Sequence, residues 1–154
     1  MTARRLLPLV ALLAACSPSL IAGTQVPDTR ANREVYGVIR AYAEGMQKRD
    51  AKAVLELVAA DYFDTAGTPD PGDDIDRAQL EKALPADLAK IDSMRFEIGV
   101  RRIDTTETEA SAEIFYDTYY RVATPVGPIP RRESDLHRMK FKKVAGAWKI
   151  ASGL

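Results

Sequence analysis

Few side chains in this sequence could carry acid–base chemistry near neutral pH. There is one histidine, His137, and one cysteine, Cys16. Histidine ordinarily titrates closest to neutrality, so His137 is the candidate general base. Asp135 lies two residues earlier and, in a strand, on the same face. Same-face neighbours along a strand stand about 7 Å apart, beyond hydrogen-bond reach. The pair could flank a ligand but makes a poor relay. No serine sits in a nucleophile-elbow motif, which leaves a Ser–His–Asp triad unsupported. A single histidine and a single cysteine exclude a metal centre built from several of either. No metal and no cofactor are expected.

The second group with chemical potential is aromatic. Tyr42, Tyr62, Phe96, Tyr116, Tyr120 and Trp148 fall at positions that helix or strand spacing turns inward. Together with His137 they are candidates for a pocket lining, in which tyrosine hydroxyls orient a polar ligand on an apolar wall. The same residues would equally serve as plain core. Asp61 and Asp64 stand near a short predicted strand, where capping or solvation explains them as well as catalysis does. The acidic loop at 66–74 lacks the glycine and carboxylate spacing of an EF-hand and reads as a solvated connection. Arg131, Arg132, Arg138, Lys140, Lys142 and Lys143 form a basic strip. It could meet anionic headgroups or an acidic partner, or be a solvated face balanced by nearby acids.

The elements that must position these groups follow from composition and periodicity. The chain has 154 residues, 46% hydrophobic and 29% charged, with 22 basic and 22 acidic side chains. This is ordinary globular composition for one domain. The charge balance gives no case for nucleic-acid binding.

The first residues form a separate unit. Arg4 and Arg5 precede the apolar run Leu6 to Leu13, then the small residues Ala14 and Ala15, then Cys16. That is the layout of a secretory signal over 1–15. The run is about half of the roughly 20 residues that a spanning helix needs. Leu13-Ala14-Ala15-Cys16 resembles the bacterial lipobox, which implies lipidation of Cys16 and a membrane partner through that lipid. An ordinary cleaved signal with an incidental cysteine is the other reading. Under the lipobox reading no free thiol remains, the chain sits in the bacterial cell envelope, and Ser17 directs it to an outer membrane where one exists. Residues 16–31, rich in Ser, Pro, Gly and Thr, read as a lipidated cysteine and flexible tether. The domain is expected over 32–154.

Within that span, Val35, Val38, Ile39, Tyr42 and Met46 mark a helix from about Asn32 to Arg49. Asp50 caps a second short helix, and Asp61 to Thr65 reads as a short strand. Asp76 caps a third helix, with Gln79 suited to a capping box, and Pro85 predicts a kink or restart. From Ser93 the period changes to two. Phe96, Ile98 and Val100 alternate with polar or small residues. Ala112, Ile114, Tyr116, Thr118 and Tyr120 share one face of the next strand, and Asp135, His137, Met139 and Phe141 one face of a third. Trp148 and Ile150 lead the last. These are half-buried strands of an antiparallel sheet. The stretch Thr124 to Arg132, with three prolines, reads as a connection that cannot pair centrally.

Helices first and strands last predict an α+β domain. The ordered set Val38-Ile39-Arg40-Ala41-Tyr42, Asp50-Ala51-Lys52-Ala53-Val54, Asp61-Tyr62-Phe63 with Gly67, and Phe141-Lys142-Lys143 with Gly146-Ala147-Trp148-Lys149-Ile150 resembles the nuclear-transport-factor-2-like superfamily. Steroid isomerase-like and polyketide cyclase-like (SnoaL-like) proteins are among its members. The resemblance implies a strongly curved antiparallel sheet wrapped on N-terminal helices, a cone with a pocket inside, and a homodimer formed through the sheet. No position matches the family's catalytic pattern well enough to be carried over. Two functions are therefore expected. The first is a non-catalytic, lipid-anchored module that holds a small apolar or amphipathic ligand in the cone or a protein partner on the sheet. The second is a pocket enzyme of isomerase or hydratase type, with His137 as base and Asp135 beside it.

Overall fold

The computed structural model describes residues 19–154, so Cys16 and the signal-like run lie outside the described residues. Helix α1 spans Arg30–Lys48 and α2 spans Ala51–Leu57. The short strands β1, Phe63–Asp64, and β2, Ile75–Asp76, pair with each other. Helix α3, Arg77–Ala89, leads into the long strands β3, Ile91–Thr105, β4, Glu109–Val122, and β5, Ile129–Val144, and then β6, Ala147–Ser152. Strands β3 to β6 form a four-stranded antiparallel sheet in sequential order. No described helix is long and apolar enough to cross a membrane.

The helix starts follow capping chemistry. Thr29 accepts from the Asn32 amide and opens α1 two residues earlier than the apolar spacing predicts. Asp50 accepts from Ala53, and Asp76 with Gln79 forms a full capping box. Helix α3 runs through Pro85 without a break, so it does not restart there. Proline removes the donor that would reach Glu81, and its ring crowds the Glu81 carbonyl. The helix holds because Leu80 and Leu88 are buried on either side and Arg77 bonds the Leu55 and Val58 carbonyls at 2.9 Å each.

Residues 19–29 are not a free tether. Leu20 bridges Pro27, and the Ile21 amide donates to the Val26 carbonyl at 2.9 Å. Ile21 and Val26 join the core, and the Asn32 amide side chain holds the Pro27 carbonyl at 2.9 Å. The domain therefore begins before residue 32.

Strand β5 also starts earlier than its prolines suggest. Ile129 faces Val122, and Pro130 faces Arg121. Strand β6 reaches only as far as Lys140, so the first part of β5 is a sheet edge. Proline is tolerated there because its missing donor faces no neighbour. The register shifts between Val100 and Arg102 on β3, so Val100 and Ile103 both turn inward. Such bulges bend a strand and deepen the twist, which curves the sheet around the helices.

The inner face of the sheet meets α1 through Val35 and Ile39, with Ile114, Met139, Phe141 and Ile150 opposite. The outer edge of β3 is closed by side chains of the α1 end. Gln47 donates to the Met94 carbonyl at 2.6 Å and accepts from the Phe96 amide at 2.7 Å. Arg49 bonds the Ile91 and Asp92 carbonyls. An edge covered in this way offers fewer free groups to a stray strand.

Candidate functional site

Between α1 and the inner sheet face lies a cavity of about 270 Å³, lined by Tyr42, Phe96, Ile114, Tyr116, His137, Gly153 and Leu154. Each wall has a structural origin. Tyr42 lies three residues past buried Ile39, on the core-facing side of α1. Phe96 belongs to the inward row of β3, and Ile114 and Tyr116 to that of β4. His137 stands opposite Ile114 across the β4–β5 ladder. The rings form a stepped wall. Tyr42 meets Phe96 edge-on, with centroids 5.7 Å apart, and Phe96 stacks on Tyr116 at 6.2 Å. Both arrangements suit the ring quadrupoles.

Polar groups in and beside this wall are partly unsatisfied. The His137 Nε2 and the Thr118 hydroxyl are buried without a hydrogen-bond partner. A buried polar atom left unpaired costs about 1–3 kcal/mol, so either one can gain from a partner. Burial pushes the Tyr42 hydroxyl well above the ordinary tyrosine pKa, and the neighbouring Tyr116 adds to this. Tyr116 is raised by burial first, then by the charges of Asp135 and Glu133. Both phenols therefore stay neutral near pH 7 and can donate a hydrogen bond.

Asp135 does not reach this site. It is exposed, and its carboxylate accepts from the adjacent Leu136 amide at 2.7 Å. The other aromatic candidates lie elsewhere. Tyr62 is buried behind the cavity and donates to Asp64 at 3.1 Å. Tyr120 bonds Glu133 on the exposed part of the sheet. Trp148 belongs to the core, donates to Glu34 at 3.3 Å and carries Lys143 over its ring. Alternation identifies which face a residue occupies but not how far along the sheet it sits. Periodicity left Ile114 unassigned to the pocket, and Gly153 and Leu154 follow the last strand, where no pattern marks them.

The acidic candidates are engaged. Asp61 pairs with Lys142, which holds its carboxyl below the usual range. Asp64 accepts from the Gly153 amide at 2.7 Å and the Leu154 amide at 3.3 Å through Oδ2, and from the Ala66 amide at 3.0 Å through Oδ1. The basic strip is largely neutralised by acids. Arg132 pairs with Asp117, Arg138 with Glu113 and Lys143 with Glu34. No cluster of three His, Cys, Asp or Glu side chains able to hold a metal is present among the described residues.

No family model and no curated protein sequence matches this chain. Its likeness to solved structures is extensive. A provisionally assigned dehydratase of the nuclear-transport-factor-2-like family from Streptomyces avermitilis superposes with a TM-score of 0.66 at 14% identity, over 79% of this chain and 92% of the other. A provisionally assigned scytalone dehydratase from Novosphingobium aromaticivorans gives 0.64 at 16% identity, over 80% of each chain. A ketosteroid isomerase-like protein from Erwinia carotovora atroseptica gives 0.64 at 13% identity, over 81% of this chain and 94% of the other. The architecture of N-terminal helices and curved antiparallel sheet is thus the nuclear-transport-factor-2-like fold.

Proposed function

We propose that this chain is a lipid-anchored module of the bacterial cell envelope whose cavity holds a small molecule with an apolar, partly aromatic body and one hydrogen-bonding group. One observation carries the reading: an apolar cavity ringed by aromatic side chains includes a histidine with a buried, unpartnered ring nitrogen. Ligand sites typically combine an apolar wall with few convergent polar groups. The aromatic rings accommodate the body of such a ligand, and His137 with the neutral phenols of Tyr42 and Tyr116 fixes its polar end. The anchor rests on the lipobox-like Leu13-Ala14-Ala15-Cys16. A second copy of the chain would pack on the outer sheet face, where Phe115, Tyr119 and Leu136 are exposed.

The alternative is catalysis of isomerase or hydratase type with His137 as the base. The placement of His137 beside two neutral phenols favours it, and so do the names of two solved relatives, a dehydratase and an isomerase-like protein. Against it stands the lack of an Asp or Glu side chain among the cavity-lining residues.

His137→Leu tests the assignment. Replacing an unpaired buried nitrogen by carbon is expected to leave folding stability unchanged or to raise it by about 1 kcal/mol. The same change should abolish retention of the ligand. A loss of more than about 2 kcal/mol in denaturant unfolding would mark His137 as a structural member of the core instead.

A further inference from the structure

The Gly153–Leu154 segment lines one side of the cavity, and several contacts fix its backbone. Asp64 receives three donors from this side through one oxygen: the Gly153 amide at 2.7 Å, the Tyr62 hydroxyl at 3.1 Å and the Leu154 amide at 3.3 Å. The Leu154 amide is shared with the Tyr62 hydroxyl at 3.2 Å. From the opposite side, Gly153 lies against β5. A Cβ there would stand 2.4 Å from the Arg138 carbonyl oxygen and 2.8 Å from the Met139 Cα. The backbone at Gly153 has φ +93°, a conformation that favours glycine. These contacts hold the segment between β1 and β5, and Leu154 both packs on the core and lines the cavity.

We propose that Leu154 sets the length of ligand that the cavity accepts, and that Asp64 is the positioning residue that holds it there. The proposal rests on the small-molecule reading of the same cavity. Leu154 is an apolar stop, held by its backbone amide rather than by side-chain contacts alone. The Asp64 carboxylate, with its oxygens occupied by these amides and by Tyr62, serves to fix this wall. A ligand would be gripped at its polar end by His137 and measured at its apolar end by Leu154.

The test uses 4-n-alkylphenols, from methyl to hexyl, as probes. They carry one aromatic ring, one hydroxyl and a tail of graded length. Binding is measured by calorimetric titration of the full chain in lipid nanodiscs, with empty nanodiscs subtracting partition into lipid. Each buried methylene should strengthen binding by about fourfold until the tail meets the wall. In the unaltered chain the gain is expected to stop at a definite tail length. In Leu154→Ala it should continue for at least one further methylene. Asp64→Ala should blur the limit, and Asp64→Asn, which keeps one acceptor oxygen, should restore it in part. A limit that is unchanged in Leu154→Ala while the unaltered chain binds overturns the proposal alone. An Asp64→Ala variant that melts lower but keeps a sharp limit overturns the role of Asp64. No binding by any chain overturns the small-molecule reading together with this one.

Discussion

Replacing Gly153 with alanine is expected to lower folding stability by about 2–6 kcal/mol, although the change adds only one methyl group. Two costs combine. A non-glycine residue at this positive φ costs about 1–3 kcal/mol, and φ is +93° here. The added Cβ would also overlap the Arg138 carbonyl oxygen at 2.4 Å and the Met139 Cα at 2.8 Å. These are backbone atoms of β5, and the Arg138 and Met139 positions are paired with Glu113 and Ala112 of β4. They cannot retreat without loosening that ladder, and overpacking of this kind costs about 1–3 kcal/mol. Thermal melting of the variant should fall by about 10 °C. It should also lose ligand retention, because the segment that lines the cavity would be displaced. A loss below about 1 kcal/mol would mean that the segment after β6 is not held as described.

The second large effect is alkaline. Burial is the main cause that raises the Tyr42 and Tyr62 hydroxyls well above their ordinary value, with the Asp64 charge adding to Tyr62. Tyr116 shifts the same way, through burial first and Asp135 second. The unfolded chain begins to release phenol protons at about pH 10, whereas the folded chain keeps them. A raised pKa in the folded state contributes stability that is complete below the unfolded pKa and is lost as the pH rises above it. Each such tyrosine steepens the loss by up to about 1.4 kcal/mol per pH unit. Urea midpoints measured from pH 8 to 12 should therefore fall steeply beyond pH 10. Tyr42→Phe and Tyr62→Phe should each flatten the fall, and comparison with these variants removes the lysine background. Equal slopes in all three chains would show that neither hydroxyl is buried as the structure places it.

Much of the fold is legible in the sequence because its signals are local. Asp50, Asp76 and Gln79 act as caps at the predicted positions, and Thr29 adds one that apolar spacing does not mark. The alternation of Ile114, Tyr116 and Thr118, and of His137, Met139 and Phe141, assigns their inner faces. Ala145 and Gly146 both have positive φ, the geometry of a tight two-residue hairpin. What escaped the sequence depends on distant contacts. Ile21 and Val26 sit in a stretch with linker composition, and their burial depends on Asn32 holding Pro27. Pro85 is accommodated because Arg77, Leu80 and Leu88 pin α3. Pro130 pairs because β6 ends before reaching it.

The candidate site was less legible. Tyr42, Phe96, Tyr116 and His137 meet around one cavity only because α1 packs on the inner face of the sheet. Tyr120 and Trp148 share the same alternation but do not line the cavity. The need for glycine at 153 is set by β5, about fifteen residues earlier in the chain, and no local pattern could reveal it. In the sequence Asp64 reads as an acid near a short strand, where capping or solvation explains it as well as catalysis does. Its donors from Gly153 and Leu154 come from the far end of the domain.

The most direct measurement is mass spectrometry of the full chain extracted from the membranes of its native host, recorded under native and then denaturing conditions. The account predicts a denatured mass that lacks residues 1–15 and carries acyl chains on Cys16, and a native mass larger by one small, non-covalent molecule per chain. An unmodified cysteine would contradict the anchor. A native mass equal to the denatured mass, from protein never exposed to competing ligand, would contradict the claim that the cavity holds a small molecule.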